Sequence, residues 1–419
     1  MSITGSVGAN IITGGAGNDT IDGGGGADVI AGGTGDDTIS YHGTEISVDG
    51  GTGTDTLIVA AGSSVTAVNF SVAAGADQTT GDTVSVTNFE NLDASALNSA
   101  LLVTGSTSAN TITTGSGNDA IDGGGGADFI SAGGGNDTVS YYGTEASIDG
   151  GAGINTLLLR AATTVNLGNT DQTTGDLTTV AGFQNVDASS LSSAVSITGS
   201  STANVITAGS GNDTIDGAGG ADAINAGGGN DTVTYHGTET TIDGGAGSDT
   251  LVLSASGGVT AVNFAVGAGA DQTAGDTVIV ANFENLDASV LTTALTVTGS
   301  SAANAITTGS GNDTVDGGGG ADVISAGGGN DTVSYYNSEV SIDGGTGNNT
   351  LLLRAAAIVN LGSLDQTTGD AASVANFQNV DASTLSTAVS ITGSSGANTI
   401  TGGSGNDTID GTGGADFIA

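Results

Sequence analysis

The sequence predicts an all-β fold, a coil of stacked parallel β-structure, on three observations. From Gly5 the chain divides into nonapeptides without slippage. The last three positions of each alternate polar, apolar, polar, as in Thr20-Ile21-Asp22 and Thr38-Ile39-Ser40. The first four favour glycine, which alone enters φ > 0 without steric cost. Alternation with period two describes a very short strand with one side chain pointing inward. Glycine runs, β-branched residues and the lack of a 3.6 period exclude helix.

Each element follows from this period. The first block reads GSVGANIIT from Gly5, GGAGNDTID from Gly14, GGGGADVIA from Gly23 and GGTGDDTIS from Gly32. A looser YHGTEISVD and then GGTGTDTLI complete it. Similar blocks restart at Gly105, Gly199, Gly299 and Gly393, so the full repeat is a pair of blocks 194 residues long. We divide the chain into blocks at 1–58, 105–158, 199–252 and 299–352, with a partial fifth at 393–419. Spacers fill 59–104 and 253–298 (long type) and 159–198 and 353–392 (six residues shorter). No composition shift separates globular domains, so the expected architecture is one quasi-one-dimensional array.

Two nonapeptides per coil stack Ile, Val and Leu in inner ladders. Neighbouring coils then lie about 4.8 Å apart, and about twenty of them span on the order of 100 Å. Residues 18 apart fall on the same side, so Asp19, Asp37 and Asp55 form one column and Asp28 lies opposite. Partly alternating apolar residues in the spacers (Val84, Val86, Phe89, Leu92) predict further strand, continuing the solenoid with wider coils.

Composition narrows the function. Of 419 residues 77 are Gly, while Pro, Cys and Trp are absent. Only 2 residues are Lys or Arg against 44 acids, a formal charge of −42. So acidic a chain repels phosphate backbones, which excludes nucleic acid as a partner. No apolar run of about 18 residues exists to form a transmembrane helix. Missing Cys removes disulfides, thiol catalysis and thiolate metal sites. High charge and much Gly would suit a disordered chain, but disordered chains do not hold apolar residues in fixed register. No HExxH, GxSxG, P-loop or nucleophilic Cys is present, so no enzymatic activity is expected.

The charge has no internal partner, and the acids sit in register. The sixth nonapeptide position holds Asp19, Asp28, Asp37 and Asp55, then Asp119, Asp128 and Asp137, then Asp213, Asp222, Asp231 and Asp249. Asp313, Asp322 and Asp331 follow, and finally Asp407 and Asp416. Carboxylates stacked at coil spacing repel in a partly dehydrated turn. The turns also offer backbone carbonyls, here assigned to Gly15, Gly17, Gly33, Gly35, Gly115, Gly117, Gly133 and Gly135. Their counterparts are Gly209, Gly211, Gly227, Gly229, Gly309, Gly311, Gly327 and Gly329. An irregular all-oxygen site suits Ca²⁺ better than Mg²⁺, which demands an octahedron. Zinc would want His or Cys, and only His42 and His236 are available. A lone Asp-Gly turn would need no metal; sixteen in register, on a chain with two cations, point to multiple calcium ions.

GGAGNDTID, GGGGADVIA and GGTGDDTIS resemble the glycine-rich nonapeptide of the RTX, or hemolysin-type, calcium-binding proteins. The resemblance implies a right-handed parallel β-roll in which each ion is shared by successive turns on one side. It also implies type I export from a Gram-negative bacterium, with folding on exposure to extracellular calcium. Departures are systematic. Asn10, Asn110, Asn204, Asn304 and Asn398 replace the first Asp of each block, and Asn155 and Asn349 replace the counterparts of Asp55 and Asp249. Weaker sites are therefore expected at the ends of the second and fourth blocks. Ile46 and its counterparts predict a turn without an ion.

Lesser features have bland readings. Asp77 and Asp82 could hold an ion, but a solvated turn is the better account. Glu90 and Glu284 alternate with Gln184 and Gln378, which argues against a catalytic carboxylate. In Tyr41-His42, Tyr141-Tyr142, Tyr235-His236 and Tyr335-Tyr336, alternation turns one ring inward and one outward, where it could touch a glycan. Arg160 and Arg354 should pair with a nearby acid. MSITGSVGAN lacks a Sec-type signal, and the unfinished block at Ala419 predicts a fragment with an exposed strand edge. The expected function is a secreted, calcium-stabilised structural protein of the cell surface, surface-layer or adhesin-like, with glycans or its own copies as further partners. The alternative is the accessory region of a larger type I-secreted enzyme or toxin. Ice binding is weaker, because no continuous Thr row forms.

Overall fold

A computed structural model describes residues 1–254 and 257–419. Every regular element among them is a short β-strand. The chain divides into two compact units, Met1–Ser200 and Ser201–Ala419. Within each, parallel strands stack in the register that the 18-residue period requires.

In the first unit, Ser2–Thr4, Thr20–Asp22, Thr38–Tyr41 and Thr56–Val59 pair in sequence, with Ile3, Ile21, Ile39 and Leu57 in line. Ile11–Ala16, Val29–Thr34 and Ser47–Thr52 form the facing stack. The spacer then re-enters the first ladder: Asn91–Asp93 pairs parallel with Thr56–Val59 and next with Thr111–Thr113. In the second unit Thr214–Asp216, Thr232–Tyr235, Thr250–Leu253 and Asn285–Asp287 repeat the arrangement. This is a parallel β-roll, as the triplet pattern predicts.

Most three-residue strands bury one side chain, and four-residue strands bury at least two, as Leu57 with Val59 and Leu157 with Leu159. Ile21, Ile39, Leu57, Val86, Val103, Ile112 and Leu157 are buried, each the middle residue of its triplet or the next inward position. Aromatics add to this packing. Tyr41, Tyr141, Tyr235 and Tyr335 are fully buried, as are Phe89, Phe183, Phe283 and Phe377 of the spacers.

The spacers do more than widen a coil. Each adds a short antiparallel pairing: Ala67–Asn69 with Thr79–Thr80, and Thr164–Asn166 with Thr173–Thr174. The second unit has the same pairings at Ala261–Asn263 and Ile358–Asn360. A glutamine fixes each hairpin to its aromatic. Gln78 Nε2 donates to the Phe89 carbonyl (2.9 Å) while its Oε1 accepts the Phe89 N–H (2.8 Å). Gln172, Gln272 and Gln366 clamp Phe183, Phe283 and Phe377 in the same way. The periodic pattern gave no sign of this role.

Candidate metal centre

Each nonapeptide turn presents its Asp through two different oxygens. Oδ1 accepts a backbone N–H from the residue 18 positions earlier, one coil back. The Asp19 N–H donates to Asp37 (2.8 Å), the Asp37 N–H to Asp55 (2.7 Å) and the Asn10 N–H to Asp28 (2.7 Å). In the second block the donors to Asp119, Asp128 and Asp137 are Leu101, Asn110 and Asp119. In the second unit Asn204, Asp213 and Asp231 donate to Asp222, Asp231 and Asp249, and Leu295, Asn304 and Asp313 to Asp313, Asp322 and Asp331. An 18-residue period thus places a carboxylate where each turn would otherwise leave a buried donor unmet, a loss of about 1–3 kcal/mol apiece.

Oδ2 is the anomaly. In Asp19, Asp28, Asp37, Asp55, Asp119, Asp128, Asp137, Asp222, Asp231, Asp249, Asp313, Asp322 and Asp331 it is buried and has no hydrogen-bond partner. Beside Asp19 and Asp37 lies more oxygen, whereas Asp28, Asp128, Asp222 and Asp322 share their glycine with Cδ1 of Ile30, Ile130, Ile224 and Ile324. A Cβ built on Gly14 would meet both Asp19 Oδ2 and the Gly32 carbonyl within 3.0 Å, and Gly32 is related in the same way to Asp37 Oδ2 and the Gly50 carbonyl. The crowding carbonyl belongs to the first glycine of the next same-side turn. Of the carbonyls chosen from the sequence, those of Gly115, Gly133, Gly209, Gly227, Gly309 and Gly327 accept backbone N–H groups of the adjacent coil. The backbone flanking Gly15 and Gly33 is paired in register within its strand stack, and Gly17, Gly35, Gly117, Gly135, Gly211, Gly229, Gly311 and Gly329 follow in the same turns.

The electrostatic consequence is plain. Burial pushes the carboxyls of Asp55, Asp128, Asp231, Asp249, Asp322 and Asp331 up to about 6. Asp137, Asp222 and Asp313 are raised by the same cause. Neither arginine relieves this, and of the basic side chains only His236 acts, lowering Asp222 against the larger effect of burial. Arg160 and Arg354 are exposed and make no ion pair among the described residues, which corrects the expectation that they bind an acid. Asp122, which lines the same cleft as Arg160, is already hydrogen-bonded to the second aromatic ring, Tyr142, and Asp316 is held by Tyr336 in the same way.

Three predicted positions differ. Asp213 Oδ2 accepts the Gly209 N–H (3.3 Å) and Asp407 Oδ2 the Gly403 N–H (2.9 Å). Asp416 is only half-buried. Two further groups complete the columns, Glu90 and Glu284, whose alternation with Gln is visible in the sequence but whose place in the columns is not. The Asp55 N–H donates to Glu90 Oε2 (2.8 Å) and the Asp249 N–H to Glu284 Oε2 (2.9 Å). In the counterparts Asn155 and Asn349 donate to Gln184 and Gln378, both at 2.7 Å. These partners lie 35 or 29 residues away, not 18, so a fixed-period search passes over them.

The remaining acids serve the turns. Glu45 accepts the N–H groups of His42 and Thr44, which explains the Ile46 turn: Ile46 itself points to solvent. Asp82 accepts the buried Tyr41 hydroxyl (2.7 Å), and Asp77 accepts the Val86 N–H (3.1 Å), so both are structural rather than merely solvated. Asp176, Asp276 and Asp370 hold Tyr141, Tyr235 and Tyr335. The outer rings are half-buried, with His42 and His236 on Asp22 and Asp216.

No three His, Asp or Glu side chains converge on one point among the described residues. The donor set is instead one carboxylate oxygen per turn with backbone carbonyls. Thirteen orphaned oxygens, each leaving about 1–3 kcal/mol unmet, make a deficit of at least the same order as the ~5–15 kcal/mol by which a domain is ordinarily stable. A hard cation that tolerates irregular oxygen coordination fits such turns, and calcium is that cation. A comparison with curated proteins returns no match. The pattern of the RTX calcium-binding nonapeptide repeat (4 copies) matches residues 4–39, 104–139, 198–233, 241–255, 298–333 and 390–418.

Proposed function

Because RTX calcium-binding nonapeptide repeats recur along this chain from residue 4 to residue 418, we propose that it is a secreted structural protein that calcium converts from a charged coil into an ordered β-roll. The observation that carries this reading is the set of thirteen buried, unpartnered Asp Oδ2 atoms, of which those of Asp19, Asp37, Asp55 and Asp249 crowd the same glycine as a backbone carbonyl. Ions there would offset the charge of a polymer of formal charge −42 and supply attraction that a core one or two side chains wide per strand lacks. The predicted ligands are the sixth-position aspartates from Asp19 to Asp331, with Asp407 and Asp416 in the last turns.

Metal binding of this kind is folding free energy. Where free calcium is scarce the chain would stay unfolded, and so exportable by a type I route. At the millimolar-range calcium of extracellular modules it would fold. The role is spacing or coating at the cell surface, surface-layer or adhesin-like, rather than turnover. Circular dichroism of the chelated chain, then of the same sample with calcium, tests the proposal. A coil-like spectrum should become a β spectrum with calcium, with magnesium a poor substitute. Full β-structure in chelator at pH 7.5 would falsify it.

A further inference from the structure

The four places where a block meets a spacer share one backbone arrangement and carry two chemistries. In each, the last sixth-position residue donates its N–H to a spacer Glu or Gln: Asp55 to Glu90, Asp249 to Glu284, Asn155 to Gln184 and Asn349 to Gln378. Two residues before that Glu or Gln stands one in the left-handed region. It is Asn88 (φ 59°), Gly182 (φ 83°), Asn282 (φ 60°) or Asn376 (φ 66°). This conformation turns its carbonyl onto the first glycine of the turn, at Gly50, Gly150, Gly244 and Gly344.

The side-chain atom that meets this carbonyl differs. In the amide pairs it is a donor. Asn155 Nδ2 donates to the carbonyls of Gly150 (2.7 Å) and Gly182 (2.9 Å), and Asn349 Nδ2 to those of Gly344 (2.6 Å) and Asn376 (3.1 Å). In the acid pairs the same corner is Asp55 Oδ2 or Asp249 Oδ2. Both residues are wholly buried, and both atoms lack a partner. A Cβ on Gly50 would meet the Asn88 carbonyl and Asp55 Oδ2 alike, as one on Gly150 would meet the Gly182 carbonyl and Asn155 Nδ2. Two oxygens therefore face each other in the acid pairs where an oxygen faces an N–H in the amide pairs.

We propose that the Asp55 and Asp249 turns are divalent-cation sites closed by a spacer carbonyl, that of Asn88 or Asn282, and that at Asn155 and Asn349 the side-chain amide stands in for the ion. The two charges of Asp55 and Glu90 match one divalent cation; Asn155 and Gln184 carry none and need none. Calcium demand at these junctions thus alternates along the 194-residue repeat. The inference rests on the calcium reading of the nonapeptide turns and extends it to the spacers.

Equilibrium dialysis of the full chain against calcium counts the ions. Asp55→Asn with Glu90→Gln, combined with Asp249→Asn and Glu284→Gln, should lose two ions, keep the β spectrum and melt with less dependence on calcium. The converse set, Asn155→Asp with Gln184→Glu and Asn349→Asp with Gln378→Glu, should gain two. An unchanged ion count in either variant overturns the proposal. So does failure of the amide variant to fold, since the amide already occupies this corner at Asn155. A wild-type chain that binds no calcium at all would instead overturn the underlying reading of the turns.

Discussion

The effect of protons on this protein should change sign when calcium is bound. In the folded chain burial raises six aspartates, among them Asp55, Asp128 and Asp322, from 3.8 to about 6. A group whose folded pKa lies above its unfolded value stabilises the fold fully below the unfolded value, and that contribution is lost as pH rises through the folded one. The window here is therefore about pH 4 to 6. At roughly 1.4 kcal/mol per unit, one such shift is worth about 3 kcal/mol. Several together rival the ~5–15 kcal/mol of ordinary domain stability, although neighbours are coupled, Asp213 raising Asp231 and Asp231 raising Asp249, and do not add independently. In chelator, thermal melts followed by circular dichroism should show more β-structure and a higher midpoint at pH 4.5 than at pH 7.5. With saturating calcium the order should reverse, because the ion binds the deprotonated carboxylate. Metal-free protein that grows more stable from pH 4.5 to 7.5 would refute the claim that these oxygens are buried and unneutralised.

Two substitutions read the scaffold in calcium buffer. Tyr41→Phe removes the hydroxyl that donates to Asp82 at 2.7 Å, a charge-assisted bond whose loss should cost about 1.5–3 kcal/mol and lower the melting midpoint without changing the ion count. Gly33→Ala places a Cβ against the Gly15 carbonyl at φ 113°. Strain of about 1–3 kcal/mol, with further loss from the clash, should depress both the midpoint and the calcium affinity of the first block; an unchanged dialysis isotherm and melt would contradict the close stacking of these turns.

Much of the site was legible because its logic is local and periodic. An 18-residue step connects Asp19 to Asp37 and Asp37 to Asp55 whatever the handedness or surroundings, so the columns follow from counting. Ile39 faces inward because alternation allows nothing else for a triplet flanked by turns. The spacers resisted counting. Glu90 and Gln184 reach the columns over 35 and 29 residues, and Gln78 clamps Phe89 across a hairpin whose strands are two or three residues long.

The amides mark the boundary most sharply. From composition, Asn10 and Asn155 are the same departure from Asp. In the fold, Asn10 offers its oxygen to the Ser6 N–H within the turn, while Asn155 gives its oxygen to the Asp137 N–H and turns its nitrogen onto the carbonyls. The amino-acid pattern alone determined the strands, the columns and the need for external positive charge, since those follow from period and net charge. Only the tertiary structure decided which oxygens stay unpartnered, because hydrogen-bond satisfaction depends on what the neighbouring coil and the spacer bring alongside.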